Sequence, residues 1–182
     1  MNRYDVVIVG AGPAGIFTAI ELKRRAPQLS ILMVDEGRTI DKRACPARKN
    51  GRCVNCQPCN IMSGWSGAGA FSDGKLSLSE EVGGNITDYM SADEAQELIR
   101  SADSIYTAFG APDKVHGLND KKVEEIDYAC SRHNIHLIRC PVRHMGTELE
   151  KLRGFVRFSE FEGLYAAEIA PKNRVLPALR HH

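Results

Sequence analysis

The hydrophobic pattern of this chain is clearest at its start. Val6-Val7-Ile8-Val9 is an unbroken apolar run, the pattern of a parallel strand buried on both faces. Gly10-Ala11-Gly12-Pro13-Ala14-Gly15 follows, and then Ile16, Phe17, Ile20 and Leu22 supply the apolar face of a helix. Lys23, Arg24 and Arg25 sit in its last turn, where cations are favoured, and Pro27 stops it. Ile31-Leu32-Met33-Val34 is a second apolar run, closed by Asp35. The order predicts a strand, a glycine turn, a helix and a second parallel strand, which places the chain in the α/β class.

Further along, Ser91 and Glu94 form a capping box ahead of an apolar stripe at Leu98, Ile105 and Phe109, which Gly110-Ala111-Pro112 ends. A second helix is predicted from Asn119 or Asp120 to His133, with Val123, Ile126 and Cys130 on one face. Ile135 to Arg139 reads as a short strand ending at Cys140-Pro141.

Composition narrows the functional classes. A chain of 182 residues can bury a real core and is most simply one domain. A net charge of +1 and a pI near 7.6 favour neither a nucleic-acid binder nor a membrane-surface protein. The uncharged stretch 6–20 after Arg3 invites a signal-peptide reading, but Asp5 borders it and glycines and a proline interrupt it. It is also shorter than the ~18 to 20 residues a bilayer span needs. The expectation is a soluble, cytoplasmic protein with no membrane span and no nucleic-acid partner.

The glycine turn carries specific chemistry. Gly10 permits the tight turn, Gly12 lets backbone approach a pyrophosphate, and Gly15 lets helix and strand pack closely. The helix N-terminus presents free N–H groups and a positive dipole to the phosphates. Asp35 falls 20 residues after Gly15, at the tip of the second strand, where a carboxylate accepts the hydroxyls of an adenosine ribose and repels a 2′-phosphate. A lone G-x-G-x-x-G is weak, since an ordinary βαβ turn also uses glycine. With both strands, the helix and the acid in register, the stretch reads as a dinucleotide site.

Glu36-Gly37-Arg38 then turns the chain out of the second strand. Six basic residues, Arg38, Lys42, Arg43, Arg48, Lys49 and Arg52, stand against Asp41 between positions 38 and 52. Such a run is usually a solvated face, but this one leads into thiols, and nearby cations favour thiolate. Cys45 is followed by Cys53, Cys56 and Cys59, a C-x7-C-x2-C-x2-C spacing. Four clustered cysteines out of six are no secreted disulfide framework. The spacing admits four readings: an iron-sulfur cluster, tetrahedral zinc, a redox pair such as Cys53 and Cys56, or loop thiols without a ligand.

In residues 63–76, Gly64, Gly67, Gly69 and Gly74 are set among small residues with Trp65 and Phe71. Little side-chain bulk lets a flat ligand or another backbone come close. The competing reading is a flexible linker, which the two aromatics oppose. His144, with Gly146 and Thr147, offers a proton donor, backbone access and a hydroxyl at one turn. His116, His133 and His136 carry no partner pattern and read as surface or satisfied histidines.

Taken together, these motifs resemble the two-dinucleotide-binding flavoproteins, and more particularly a largely uncharacterised family of FAD-dependent dehydrogenases. The opening Tyr4-Asp5-Val6-Val7-Ile8-Val9-Gly10-Ala11-Gly12-Pro13-Ala14-Gly15, the cysteine loop, the segment 63–76, Gly110-Ala111-Pro112 and the His-x-Gly-Thr turn at 144–147 carry the likeness, over residues 1–148. The resemblance implies a Rossmann-like FAD/NAD(P)-binding βαβ fold. Gly10, Gly12 and Gly15, with Pro13 and Ala14, would meet the pyrophosphate; Asp35, beside Glu36, would meet the ribose; Arg38 would lie near the phosphates. Gly67, Ala68, Gly69, Phe71, Ser72 and Asp73 would lie near the flavin end, and His144 would be the candidate catalytic acid or substrate contact. It further implies hydride or electron transfer between FAD and an organic substrate, with an unknown electron donor or acceptor as partner and single electrons passed to the flavin by any cluster held on Cys45, Cys53, Cys56 and Cys59.

From Leu149 to His182 the sequence departs from that family, no Gly-Asp dipeptide occurs, and no third strand ending in Ala-Thr-Gly is present. The expected organisation is a nucleotide-binding region at 1–148, with the cysteine-rich loop inserted at about 41–60, and a divergent tail at 149–182 from truncation or frame-shift. Turnover by such an incomplete region is not expected. The competing functions are a non-catalytic metal-binding or interaction module on a nucleotide-binding fold and a thiazole-synthase-like NAD-using enzyme.

Overall fold

The computed structural model describes residues 3–72, 74–118 and 121–145, together with the backbone of one strand at 164–168. In chain order its main elements are β1 (Val6–Val9), α1 (Pro13–Arg25), β2 (Ile31–Asp35), α2 (Ala47–Asn50), β3 (Lys75–Ser77), α3 (Ala92–Ala108), β4 (Val115–His116), α4 (Lys121–Ser131), β5 (Val142–His144) and β6 (Leu164–Glu168). The fold is mixed α/β. Two compact units divide it, Met1–Ser72 with Leu152–His182, and Asp73–Lys151.

In the first unit β1 and β2 pair in parallel, from Val6 opposite Ile31 to Val9 opposite Val34. Ile8, Ile31 and Met33 are buried together with Ile16, Ala19 and Ile20 of α1, so the predicted helix face is the one that seals the sheet. Lys23 is buried as well: its ammonium donates to the carbonyls of Pro27 (2.5 Å) and Leu29 (2.9 Å), satisfying the loop that Pro27 starts. β6 adds to the other side of β2 in parallel, Ile31 opposite Leu164 through Asp35 opposite Glu168. A strand from the stretch expected to be a divergent tail thus joins the sheet.

One expectation fails on β1. Its continuous apolar run predicts burial on both faces, yet Val9 is 79% exposed and Val7 is exposed beside it. The sheet order is β1-β2-β6, so β1 is an edge strand among the described residues, and α1 covers only the Ile8 face.

The second unit has an antiparallel sheet in the order β3-β5-β4. Ser91 caps α3 as predicted: its hydroxyl accepts from the Glu94 N–H (3.3 Å), and the Glu94 carboxylate accepts from the Ser91 N–H (2.9 Å). Arg143 on β5 is buried and forks onto the carboxylate of Asp103 on α3, with Nη2 at 2.7 Å from Oδ2, and Nη1 donates to the Pro112 carbonyl. This clamp ties strand, helix and the Gly110–Pro112 turn together. The strand expected at 135–139 is irregular; the chain pairs instead at Val142–His144, from which Arg143 reaches the half-buried Asp103, and Ile135 and Ile138 stay exposed. α4 forms where predicted, but Val123 and Cys130 are half-buried and Ile126 is 52% exposed, so its apolar face is only partly covered. Asn119 and Asp120, the expected start of that helix, lie outside the described residues.

Candidate functional site

The site of the first unit is built where β1 ends. Gly10 has φ +104, a conformation that side chains strain to adopt, and its N–H donates to the Val34 carbonyl (2.7 Å). Gly15 is required for a different reason. A Cβ there would stand 2.0 Å from the Gly10 carbonyl oxygen and 3.2 Å from Ile8 Cγ2, so only hydrogen lets α1 start this close to β1. Gly12, at the helix N-cap with ordinary extended backbone, has nothing within 4 Å of its Cβ position. No side chain caps α1, no acid stands in its first turn, and Pro13 occupies its start. The helix therefore presents uncapped N–H groups and its positive dipole to an open concavity, the arrangement that receives a phosphate.

Asp35 lies at the rim of this turn. Its Oδ2 accepts from the Ala11 N–H (2.8 Å) and its Oδ1 from the Gly37 N–H (2.8 Å). An ionised carboxylate has about four lone-pair directions, so both oxygens can still accept hydroxyls from a ribose. Asp35 thus pins the glycine turn to the end of β2. Glu36 is exposed, its carboxylate accepting from the Ser63 hydroxyl (3.2 Å). Arg38 is exposed and its carbonyl accepts from the Trp65 N–H (3.2 Å).

The glycine segment after residue 63 packs directly on the turn. The Ser66 N–H donates to the Ala11 carbonyl (2.8 Å), and a Cβ on Gly67 would sit 3.4 Å from Gly12 Cα and Pro13 Cδ. Gly37 and Gly64 are in backbone contact, with 2.4 Å between a Cβ on the former and the nitrogen of the latter. Close approach of backbone, predicted for this segment, is what the structure shows. Ala68, Gly69, Phe71 and Ser72 follow in a tight helical turn, Ala68–Phe71, with the Ser72 hydroxyl on the Gly69 carbonyl (2.9 Å). Asp73 lies outside the described residues. Ser66 itself adopts φ +69, and its hydroxyl is buried without a hydrogen-bond partner beside the turn. A buried, unsatisfied hydroxyl costs free energy unless something supplies a partner.

Arg43 holds this segment in place, a role that its position in a basic run does not reveal. Its guanidinium is 5% exposed and donates to four carbonyls: Asn60 (2.9 Å), Ile61 (2.5 Å), Trp65 (2.5 Å) and Gly67 (2.7 Å). It also lies over the Phe71 ring at 4.7 Å, with Arg48 at 5.0 Å. Burial lowers its pKa, opposed by the attraction of Asp35 and Cys59. In the sequence it is one of six similar cations. Nothing in a basic run marks the one that is buried, because four scattered carbonyls leave no side-chain signature. Ser66 was likewise hidden among small residues.

The cysteines do not converge. Among the described residues no three His, Cys, Asp or Glu side chains stand close enough to hold a metal ion, and all the cysteines are free thiols. Of the four readings of Cys45, Cys53, Cys56 and Cys59, the described conformation is that of separate loop thiols. The physical reason is local: Cys45 precedes α2 while the other three follow it, the Asn55 N–H donates to Cys53 Sγ (3.5 Å), and Cys59 is engaged by its own turn. The N–H groups of Met62 and Ile61 point at Cys59 Sγ, and with the charge of Arg43 they lower the thiol below its usual range, although the residue is exposed. A lowered thiol pKa leaves more thiolate as pH falls towards neutrality. Alkylation of Cys59 by iodoacetamide at pH 7 is therefore expected to outpace that of the same cysteine in an unfolded peptide of residues 53–63; mass spectrometry of quenched time points measures it. Equal rates would show that the turn does not stabilise the thiolate.

His144 lies in the second unit on β5, opposite Lys75, and its Nε2 is buried without a hydrogen-bond partner. Gly146 and Thr147, expected to share its turn, lie outside the described residues. Among the described residues no helix is long and apolar enough to cross a membrane.

Comparison with known proteins bears on both ends of the chain. The pattern of the pyridine nucleotide-disulphide oxidoreductases matches residues 4–132. That of a domain of unknown function (DUF4130) matches residues 104–182, which include the stretch from Leu149 that departs from the flavoprotein resemblance. An uncharacterized protein of Clostridium beijerinckii is 32% identical over 157 residues, covering 84% of this chain and 24% of that protein. The chain thus spans about a quarter of the length of this curated relative. Members of the first family bind FAD or NAD(P). With its glycine turn, its Asp35 rim and its second glycine segment all inside the matched residues, the chain belongs to the pyridine nucleotide-disulphide oxidoreductase family.

Proposed function

We propose that the chain is the FAD-binding part of an oxidoreductase, a dehydrogenase of the type its motifs resemble. The observation that carries this reading is the open turn at the uncapped start of α1, with nothing within 4 Å of the Cβ positions of Gly10 and Gly12 and Asp35 fixed at its rim. The residues fit an ADP moiety: N–H groups at the helix start take the pyrophosphate, and Asp35 takes the ribose hydroxyls. The segment 64–71, clamped by Arg43, supplies a wall of small residues over which a flat ring system can extend, and Ser66 supplies a buried hydroxyl. That second wall is what favours FAD over a nucleotide without an isoalloxazine. When bound, FAD supplies the hydride and electron chemistry, and the protein supplies placement and charge. For His144 we propose the role of acid or substrate contact on the likeness of its His-x-Gly-Thr turn to that of the flavoproteins.

Equilibrium dialysis of the purified chain tests the reading. FAD and ADP are expected to compete for one site, and adenosine 2′,5′-bisphosphate to bind far more weakly because Asp35 repels its 2′-phosphate. Asp35→Asn is expected to weaken ADP roughly tenfold, the loss of a charge-assisted hydrogen bond, while narrowing the discrimination against the 2′-phosphate. Failure of both FAD and ADP to bind would refute the site. Binding of NAD with no binding of FAD would move the chain to an NAD-using enzyme.

A further inference from the structure

The second unit carries a feature that the nucleotide reading does not use. The loop between β3 and α3 lines an open hollow of about 410 Å³, whose wall includes Val82, Ile86, Tyr89 and, from α3, Ile99. A second hollow of about 350 Å³ shares Glu80, Gly84 and Asn85 with the first and adds Glu81 and Asp88. The two adjoin, one apolar and one acidic, with Glu80 on the boundary. Gly83 (φ +106) and Gly84 (φ +136) make the bend, and nothing lies within 4 Å of their Cβ positions, so the loop leaves the hollow open.

Three observations narrow what such a hollow takes. First, Tyr89 is 87% exposed and Val82 is exposed beside it, apolar surface that gains by being covered. Second, the Glu80 carboxylate accepts from its own backbone N–H and from the Gln96 amide, which hold it below the usual carboxylate range, and no lysine or arginine lines either hollow among the described residues. A fixed negative charge thus faces an apolar wall without a cation from the protein. Third, these carboxylates do not converge: among the described residues no three acidic or other ligating groups stand close enough to hold a metal ion. A divalent cation needs several oxygens at about 2.0–2.6 Å. An organic ammonium needs one carboxylate and an apolar bed. The first hollow has room for roughly a dozen non-hydrogen atoms at ~30 Å³ each.

We propose that this bipartite hollow binds a small organic ammonium with a flat apolar body, its cation at Glu80 and its body against Ile86, Tyr89 and Ile99. The aromatic face of Tyr89 adds to the attraction for the cation side of the ligand. Recognition of this kind excludes anionic compounds of the same shape, which meet Glu80, Glu81 and Asp88 together.

Calorimetric titration and methyl NMR of the full chain with 2-phenylethylammonium test the proposal, with phenylacetate and calcium chloride as the other titrants. The ammonium is expected to bind and to shift the methyl signals of Ile86 and Ile99, and phenylacetate to bind at least roughly tenfold more weakly. Glu80→Gln is expected to reduce ammonium affinity roughly tenfold. Tyr89→Ala, at an exposed position where folding is not at stake, is expected to reduce it several-fold, with an unchanged melting curve. Equal affinity for phenylacetate, an unchanged affinity in Glu80→Gln, saturable calcium binding without ammonium binding, or no binding at all would each overturn it. The measurement is made without flavin or nucleotide, so its outcome is independent of the dialysis that tests the first unit.

Discussion

Alanine in place of Arg43 is expected to destabilise the first unit by about 2–4 kcal/mol, since a buried carbonyl left without its donor costs roughly 1–3 kcal/mol and partly buried ones less. The guanidinium donates to four carbonyls that come from two separate stretches, Asn60 and Ile61 on one side and Trp65 and Gly67 on the other. Removing it leaves the buried Trp65 carbonyl and three partly buried ones without this donor and takes one of two guanidinium groups off the Phe71 ring. Lysine is not expected to rescue the loss. Its ammonium is a point charge with three donors, whereas the planar fork reaches divergent acceptors at once. Denaturant unfolding followed by circular dichroism measures both variants. A loss under about 1 kcal/mol for Arg43→Ala, the value of a typical exposed contact, would mean that the segment 60–71 holds its place without the clamp. Nucleotide affinity is expected to fall in parallel, since the Ser66 to Ala11 contact depends on that segment.

The second large effect separates two glycines of one motif. Gly15→Ala is expected to destabilise by about 3 kcal/mol or more, because the new Cβ meets a carbonyl oxygen of the rigid turn and no flexible side chain can give way. Gly12→Ala is expected to leave the melting temperature near that of the parent chain. Its backbone is extended, φ −79 and ψ −178, and its Cβ direction is open. The same methyl group stands where phosphate is expected to approach, so FAD and ADP binding should be lost while the fold is kept. A Gly12→Ala chain that binds ADP as well as the parent would remove the phosphate from this turn. Thermal melts and dialysis on the two variants give the comparison directly, and they distinguish a glycine needed by the protein from one needed by the ligand.

The contrast also shows how far the motif could be read in advance. Gly15 and Gly12 have the same side chain, and their different reasons were legible from spacing alone: one at the helix-to-strand contact, the other at the phosphate. Asp35 was legible in its position at the end of β2, but its hydrogen bonds to Ala11 and Gly37 were not, since they require the turn to fold back on the strand tip. The capping box at Ser91 held because its two hydrogen bonds are made within four residues. The strand at 135–139 did not form; the chain pairs at Val142–His144, beside the long-range clamp of Arg143 on Asp103. The apolar runs of β1 and α4 predicted burial on the faces now exposed, since a pattern records the apolarity of a surface and not what covers it.

The cysteines mark the same limit from the other side. Their spacing admitted a metal centre, and spacing is all a sequence provides. Convergence of thiolates needs backbone directions, and here Cys53 and Cys59 are held by their own turns. By itself the sequence determined the βαβ order, the glycine turn, the acid at its rim and the capped helix, because each depends on near neighbours and on backbone conformations that few residues accept. Only the tertiary structure decided which of six cations is buried, which thiol has its pKa lowered by its own turn, where Arg143 finds its carboxylate and where an acidic edge meets an apolar hollow. Those features depend on contacts between residues far apart in the chain, and a contact of that kind has no local pattern to betray it.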